Sequence, residues 1–139
     1  ANDAALQPNL TPIMALKSVI SQIHTLQVGD SLGYNRGYIA DHITKTATIP
    51  VGHADGINRI YGKGKGFVFI HGKKAPILGN VCMDMLMADL GEIPAKEGDE
   101  VIIFNSCKTL EEFADYCQTI PYEVLTSISR RVKRIYVKD

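Results

Sequence analysis

The chain has no net charge to spend on a polyanion: 15 lysines and arginines balance 15 aspartates and glutamates. That balance removes the electrostatic case for nucleic acid or an anionic membrane as partner. Aromatic residues make up only 7% of the chain, which leaves little for stacking unpaired bases. A stand-alone nucleic-acid-binding barrel therefore has weak support. No apolar run approaches the roughly 20 residues needed to span a bilayer. The N-terminus lacks the basic patch and apolar stretch of a signal peptide. Cysteine is scarce and odd in number, with Cys82, Cys107 and Cys117 at spacings that match no zinc pattern. Reduced thiols in a cytoplasmic protein are the simpler reading, although a Cys107–Cys117 disulfide across the intervening segment stays open.

What is present describes a packed domain. At 139 residues with 45% hydrophobic and 22% charged content, the chain is one domain, or a piece of a larger protein, with enough apolar material for a core. The first ten residues carry no start methionine and little pattern; they read as a linker entered midway. Residues Ile13 to Gln27 read as one long strand with room for a bulge. Thr44 to Val51 alternates well. Gly66 to Ile70 and Ala75 to Leu78, joined through His71-Gly72-Lys73-Lys74, read as a hairpin. Further strands are expected over Met85 to Leu90, Glu100 to Phe104 and Val132 to Val137. Helices are expected from Thr109 to Cys117, with Leu110, Phe113 and Cys117 on one face, and from Pro121, a good first helical residue. Many short strands with Gly and Pro turns make this a mainly β barrel or sandwich with one or two short helices.

Four clusters could carry chemistry: Gly33-Tyr34-Asn35-Arg36-Gly37-Tyr38, Pro50 to Arg59, Gly79 to Met85, and Ser129 to Arg134. Each has an ordinary alternative. A lone Tyr34 is a rim or core tyrosine with its hydroxyl tied down, or a proton carrier if its pKa falls from about 10. A lone His53 is a structural histidine. His53 and Asp55, two apart, share a face only on a strand, and two ligands are too few for a metal site. On a strand, Met83, Met85 and Met87 share a face, and core packing explains them. The basic run Arg130 to Arg134 reads as a solvated strand end. Gly62-Lys63-Gly64-Lys65-Gly66 lacks the phosphate-loop pattern and reads as a mobile loop.

Taken in order, the clusters are more specific. L-K-S (Leu16 to Ser18), G-Y-x-x-x-Y (Gly33 to Tyr38), P-V-G-x-A-D-G (Pro50 to Gly56), G-x-V-C-M-D (Gly79 to Asp84), P-Y-E (Pro121 to Glu123) and S-x-R-V (Ser129 to Val132) together resemble the C-terminal domain of alanine racemase. The resemblance runs from about Leu10 to Val137. It implies a C-terminal β-barrel domain over residues 11–139. Residues 1–10 would then link it to an N-terminal (β/α)₈ barrel domain that binds pyridoxal phosphate through a lysine. It implies interconversion of L- and D-alanine, for peptidoglycan synthesis, in a cytoplasmic head-to-tail homodimer whose sites are shared between subunits. This chain alone would hold no cofactor and would be inactive.

The resemblance also assigns roles. Tyr34 would be the acid/base on the L-alanine side, opposite the cofactor lysine on the D-alanine side. Met83 would meet the substrate carboxylate through its main-chain N–H, with Asp84 supporting that turn. Tyr38 would hold a second aromatic position, and Arg59 would help form the access channel. Three positions depart from the family pattern. His53 and Arg130 stand where many members carry tyrosine, in the inner channel and at the cofactor phosphate, and Asn80 stands where many carry an access-channel arginine. Arginine can bind phosphate, and a histidine ring changes charge near neutrality. These departures also fit a racemase-like barrel acting as a non-catalytic interaction domain.

Overall fold

The computed structural model describes Thr11 and residues 13–138; the expected linker at 1–10 lies outside them. Nine strands form: β1 (Leu16–Val19), β2 (Gln22–Leu26), β3 (Ser31–Leu32), β4 (Tyr38–Ile39), β5 (Thr44–Ile49), β6 (Phe67–Ile70), β7 (Lys73–Leu78), β8 (Leu86–Asp89) and β9 (Glu100–Phe104). Two helices follow, α1 (Cys107–Tyr116) and α2 (Pro121–Ser127). Seven strands make an antiparallel sheet in the order β1-β9-β6-β7-β8-β5-β2, and β3 and β4 form a separate two-stranded hairpin.

The strand order forces the sheet to curl. β1 and β2 lie at its two edges, yet only Ile20 and Ser21 join them. Ile20 exchanges main-chain hydrogen bonds with the β9 side, donating to Asp99 and accepting from Gly98. Ser21 donates from its N–H and its hydroxyl to the Thr48 carbonyl of β5. One dipeptide thus stitches both edges, and a flat sheet would hold them far apart. The expected single strand over Ile13–Gln27 is therefore two strands with a pivot at the fully buried Ile20. The irregularity inside the segment falls at Leu16/Lys17.

The inward face follows a period of two. Ala47 and Ile49, Val68 and Ile70, Ala75 and Ile77, Leu86 and Ala88, and Val101 and Ile103 all enter the core. α1 closes one end with Phe113, whose ring lies 4.4 Å from that of the buried Tyr61. The Tyr61 hydroxyl donates to the Phe67 carbonyl at 2.8 Å, so the buried phenol is satisfied. The helix starts earlier than expected because Ser106 is its cap and Thr109 closes the capping box. Cys107 and Cys117 sit at opposite ends of this helix and are free thiols. A separation of about 15 Å along the axis is far beyond disulfide reach.

Other expectations need correction. The His71–Lys74 turn is shorter, since Lys73 and Lys74 already pair with Ile70 and Phe69. β8 begins only at Leu86, so Met83 and Met85 lie on an exposed turn while Met87 is buried. The Gly62–Gly66 segment is pinned to the sheet by Lys63 N–H to the Gly79 carbonyl, Gly64 N–H to Ile77 and Gly66 N–H to Tyr61. Val132–Val137 is not a strand; Tyr136 in it is 92% exposed. Its β-prone residues pair with neither sheet edge, and propensity alone makes no strand. Among the described residues, no helix is long and apolar enough to cross a membrane.

Candidate active site

The β3–β4 hairpin carries Tyr34 at its tip. Gly33 has φ 76°, and Asn35 and Arg36 follow at φ 55° and 50°. Two successive non-glycine residues in the left-handed region are unusual, and asparagine is among the few that tolerate it. The conformation turns the Tyr34 side chain outward, where the residue is 75% exposed. The loop is held by its backbone instead: Asn80 Nδ2–H donates to the Tyr34 carbonyl at 3.0 Å. Gly37 admits this approach, because a Cβ there would lie 2.7 Å from Asn80 Nδ2. Tyr38 is different in kind. It is half-buried, and its hydroxyl lies 3.5 Å from Thr44 Oγ1.

Asn80 opens the segment that ends in the Cys82–Met85 turn. Cys82 N–H donates to the Met85 carbonyl at 2.9 Å. The Cys82 and Met83 carbonyls each accept at 2.9 Å, from the N–H groups of His53 and Ala54. His53–Asp55 is one turn of 3-10 helix, not a strand, so His53 and Asp55 do not share a face in the expected way. Gly52 precedes it with no room for a side chain: a Cβ would lie 2.5 Å from the Cys82 carbonyl oxygen. Met83 is 60% exposed. Among the described residues, nothing accepts a hydrogen bond from its N–H.

Asp55 and Asp84 share one guanidinium. Arg131 Nε–H donates to Asp55 Oδ1 at 2.7 Å, and an Nη2–H donates to Asp84 Oδ1 at 2.6 Å. Asp55 also accepts the Gly52 N–H at 2.8 Å through Oδ2. Burial pushes the Asp55 carboxyl up, but the hydrogen bonds from Arg131 and Gly52 and the guanidinium charge together outweigh it. The group titrates below its ordinary range. The same two carboxylates raise the Arg131 pKa further. The basic run is thus no solvated strand end. Arg134 also folds back, donating to the carbonyls of Ile128 and Val132 beyond the end of α2. Arg130 is exposed.

His53 and Arg59 are exposed but face other surroundings. His53 Nδ1 lies 3.2 Å from the Ile57 carbonyl oxygen, a contact that requires the proton on Nδ1. The ring lines a cleft of about 230 Å³ with Asn58, Cys117, Glu123 and Ser127, and neither Tyr34 nor Met83 lines it. Arg59 begins another 3-10 turn, capped by the Asn58 side chain. Asn80 and Arg131 are the residues whose structural part sequence reading missed. The signal for Arg131 was Asp55 itself, an acid inside the apolar run Pro50–Ile57 that needs a cation.

A curled, barrel-like antiparallel sheet with two short helices and a group of exposed loops along one side defines a β-rich domain class. The chain belongs to the family described as alanine racemase, C-terminal domain, whose model matches residues 13–136. It is 39% identical to alanine racemase 1 of Clostridium acetobutylicum over 136 residues, covering 94% of this chain and 35% of the relative. It is 39% identical to alanine racemase 2 of Bacillus subtilis, covering 94% and 34%. In structure it is similar to the alanine racemase of the D-cycloserine producer Streptomyces lavendulae, with a TM-score of 0.87, 35% identity, and coverage of 96% of this chain and 36% of that one. It is also similar to the Bartonella henselae alanine racemase with covalently bound pyridoxal phosphate, with a TM-score of 0.82, 34% identity, and coverage of 88% and 34%. The chain spans about a third of the length of the relatives it matches.

Proposed function

We propose that residues 11–139 form one half of a composite alanine racemase site, with residues 1–10 leading from a pyridoxal-phosphate-binding barrel domain. The observation that carries this reading is the Asn80–Met85 segment. It holds the backbone of the Tyr34 loop at one end and presents the unpaired Met83 N–H near the other. A phenol and a carboxylate-binding amide, mounted on one rigid support, are what an amino acid needs on one face.

Tyr34 Oη takes the α-proton of L-alanine and, in the reverse direction, returns it to that face. The Met83 N–H binds the substrate carboxylate and fixes the α-carbon relative to the phenol. The opposite face belongs to a lysine of the barrel domain of the partner subunit. Pyridoxal phosphate, when bound there, supplies the electron sink that acidifies the α-carbon. That cofactor would meet this chain as a wall, at the exposed loops that carry Tyr34 and Met83. Arg130 is the residue that would meet the cofactor phosphate. His53 and Arg59 would border the access channel, with Tyr38 packed behind the Tyr34 loop and Asp84 supporting the Met83 turn. The parent enzyme is then a cytoplasmic head-to-tail homodimer that makes D-alanine for peptidoglycan. Asn80, one of the departures that favoured a non-catalytic barrel, supports Tyr34 here, which weakens that alternative.

The test is racemisation by the full-length protein loaded with pyridoxal phosphate. L-alanine should yield D-alanine, and Met83→Leu should leave KM for alanine within about twofold because the contact is main-chain. A loaded, folded enzyme that forms no D-alanine would overturn the reading.

A further inference from the structure

We infer that Arg131 is a positioning residue that sets the Met83 amide for the substrate carboxylate, a claim that rests on the half-site reading above. Three separate stretches of chain meet at its guanidinium. Asp55 belongs to the His53–Asp55 turn, Asp84 directly follows Met83, and Arg131 itself comes after α2. The stretch carrying Arg131 is fixed in its turn, since Ser129 N–H donates to the Asp55 carbonyl at 3.1 Å.

The geometry is that of a two-pronged clamp. Asp55 is 7% exposed and already bonded to the Gly52 N–H, so it is the immobile anchor. Asp84 is well exposed, and its side chain would be free to turn in water without a partner. Arg131 transfers the rigidity of the first carboxylate to the second. The main-chain bonds from His53 and Ala54 fix the carbonyls of Cys82 and Met83. The guanidinium fixes the residue on the far side of the Met83–Asp84 peptide. Together they leave that turn one orientation. A planar fork with two donors aimed at two carboxylates does this; a lysine ammonium, a single point charge, cannot span both in the same way.

The test uses the full-length, cofactor-loaded enzyme with Arg131→Lys and Asp84→Ala, and reads two quantities. The first is amide hydrogen exchange at the hydrogen-bonded N–H groups that hold the turn, those of Cys82, His53 and Ala54, against the core strands. The second is the division of any loss between KM for alanine and kcat. Loosening the clamp should speed exchange in the turn about tenfold with the core strands unchanged. It should raise KM about tenfold in Arg131→Lys, with kcat within about threefold. Asp84→Ala, on an exposed side chain, should move both readings the same way and serves if Arg131→Lys folds poorly. Unchanged exchange in the turn would overturn the clamp. Faster exchange with unchanged KM would make Arg131 structural only and would overturn the positioning claim. Failure of the half-site reading shows separately, as a wild-type enzyme that does not racemise or a Tyr34→Phe variant that exchanges the α-proton of L-alanine normally.

Discussion

Asp55 is a buried acid that keeps its charge because Arg131 and the Gly52 N–H meet it. Its folded pKa is depressed. A depressed carboxyl contributes stability that is fully present above its unfolded value of about 4 and is lost as pH falls through the folded value. Thermal stability measured against pH should therefore be insensitive to this group above about pH 5 and fall in the acid range below it. Asp55→Asn should flatten that part of the profile; an unchanged acid limb would show that Asp55 is not the responsible group. Single-residue chemistry was unevenly legible. The exposed loop of Tyr34 stood out because glycines and an asparagine surround the tyrosine, while the role given to the phenol came only from the family resemblance. The Asp55–Arg131 pair did not, because its partners lie 76 positions apart and no local pattern joins them.

Among the elements, the His53–Asp55 turn and the Cys82–Met85 turn depend on one close approach, at Gly52. A methyl there would sit 2.5 Å from the Cys82 oxygen and 2.7 Å from both the Met83 oxygen and the Met85 nitrogen. All three are backbone atoms, so relief requires moving a turn. Gly52→Ala should cost about 2 kcal/mol in chemical denaturation, the scale of an overpacked core; an unshifted midpoint would contradict the packing. Strands whose inward residues alternate, such as β5 and β9, were readable to within a few positions. The two helices were readable as well, because proline and an amphipathic face mark them. The break at Ile20 was not, since both halves of Ile13–Gln27 have strand composition and only their pairing at opposite edges of the curled sheet separates them. Val132–Val137 shows the reverse error, strand composition in a segment that pairs with no strand.

On the scale of the whole molecule, the curl of the sheet decides which loops meet. It brings the β3–β4 hairpin against the Gly79–Val81 segment, and it seats the turn that follows on the Gly52–Asp55 backbone. On the proposed reading the domain is a rigid mount for two exposed groups, Tyr34 and the Met83 turn. On that reading Tyr34 is the acid/base for one face of alanine. The most direct measurement is α-proton exchange in deuterated buffer by the full-length enzyme, wild type and Tyr34→Phe, started separately from L- and D-alanine. In Tyr34→Phe, exchange from L-alanine should fall by about a hundredfold or more, with exchange from D-alanine largely kept and the fold intact. Equal retention from both sides would contradict it and leave Tyr34 a structural tyrosine on a loop tip.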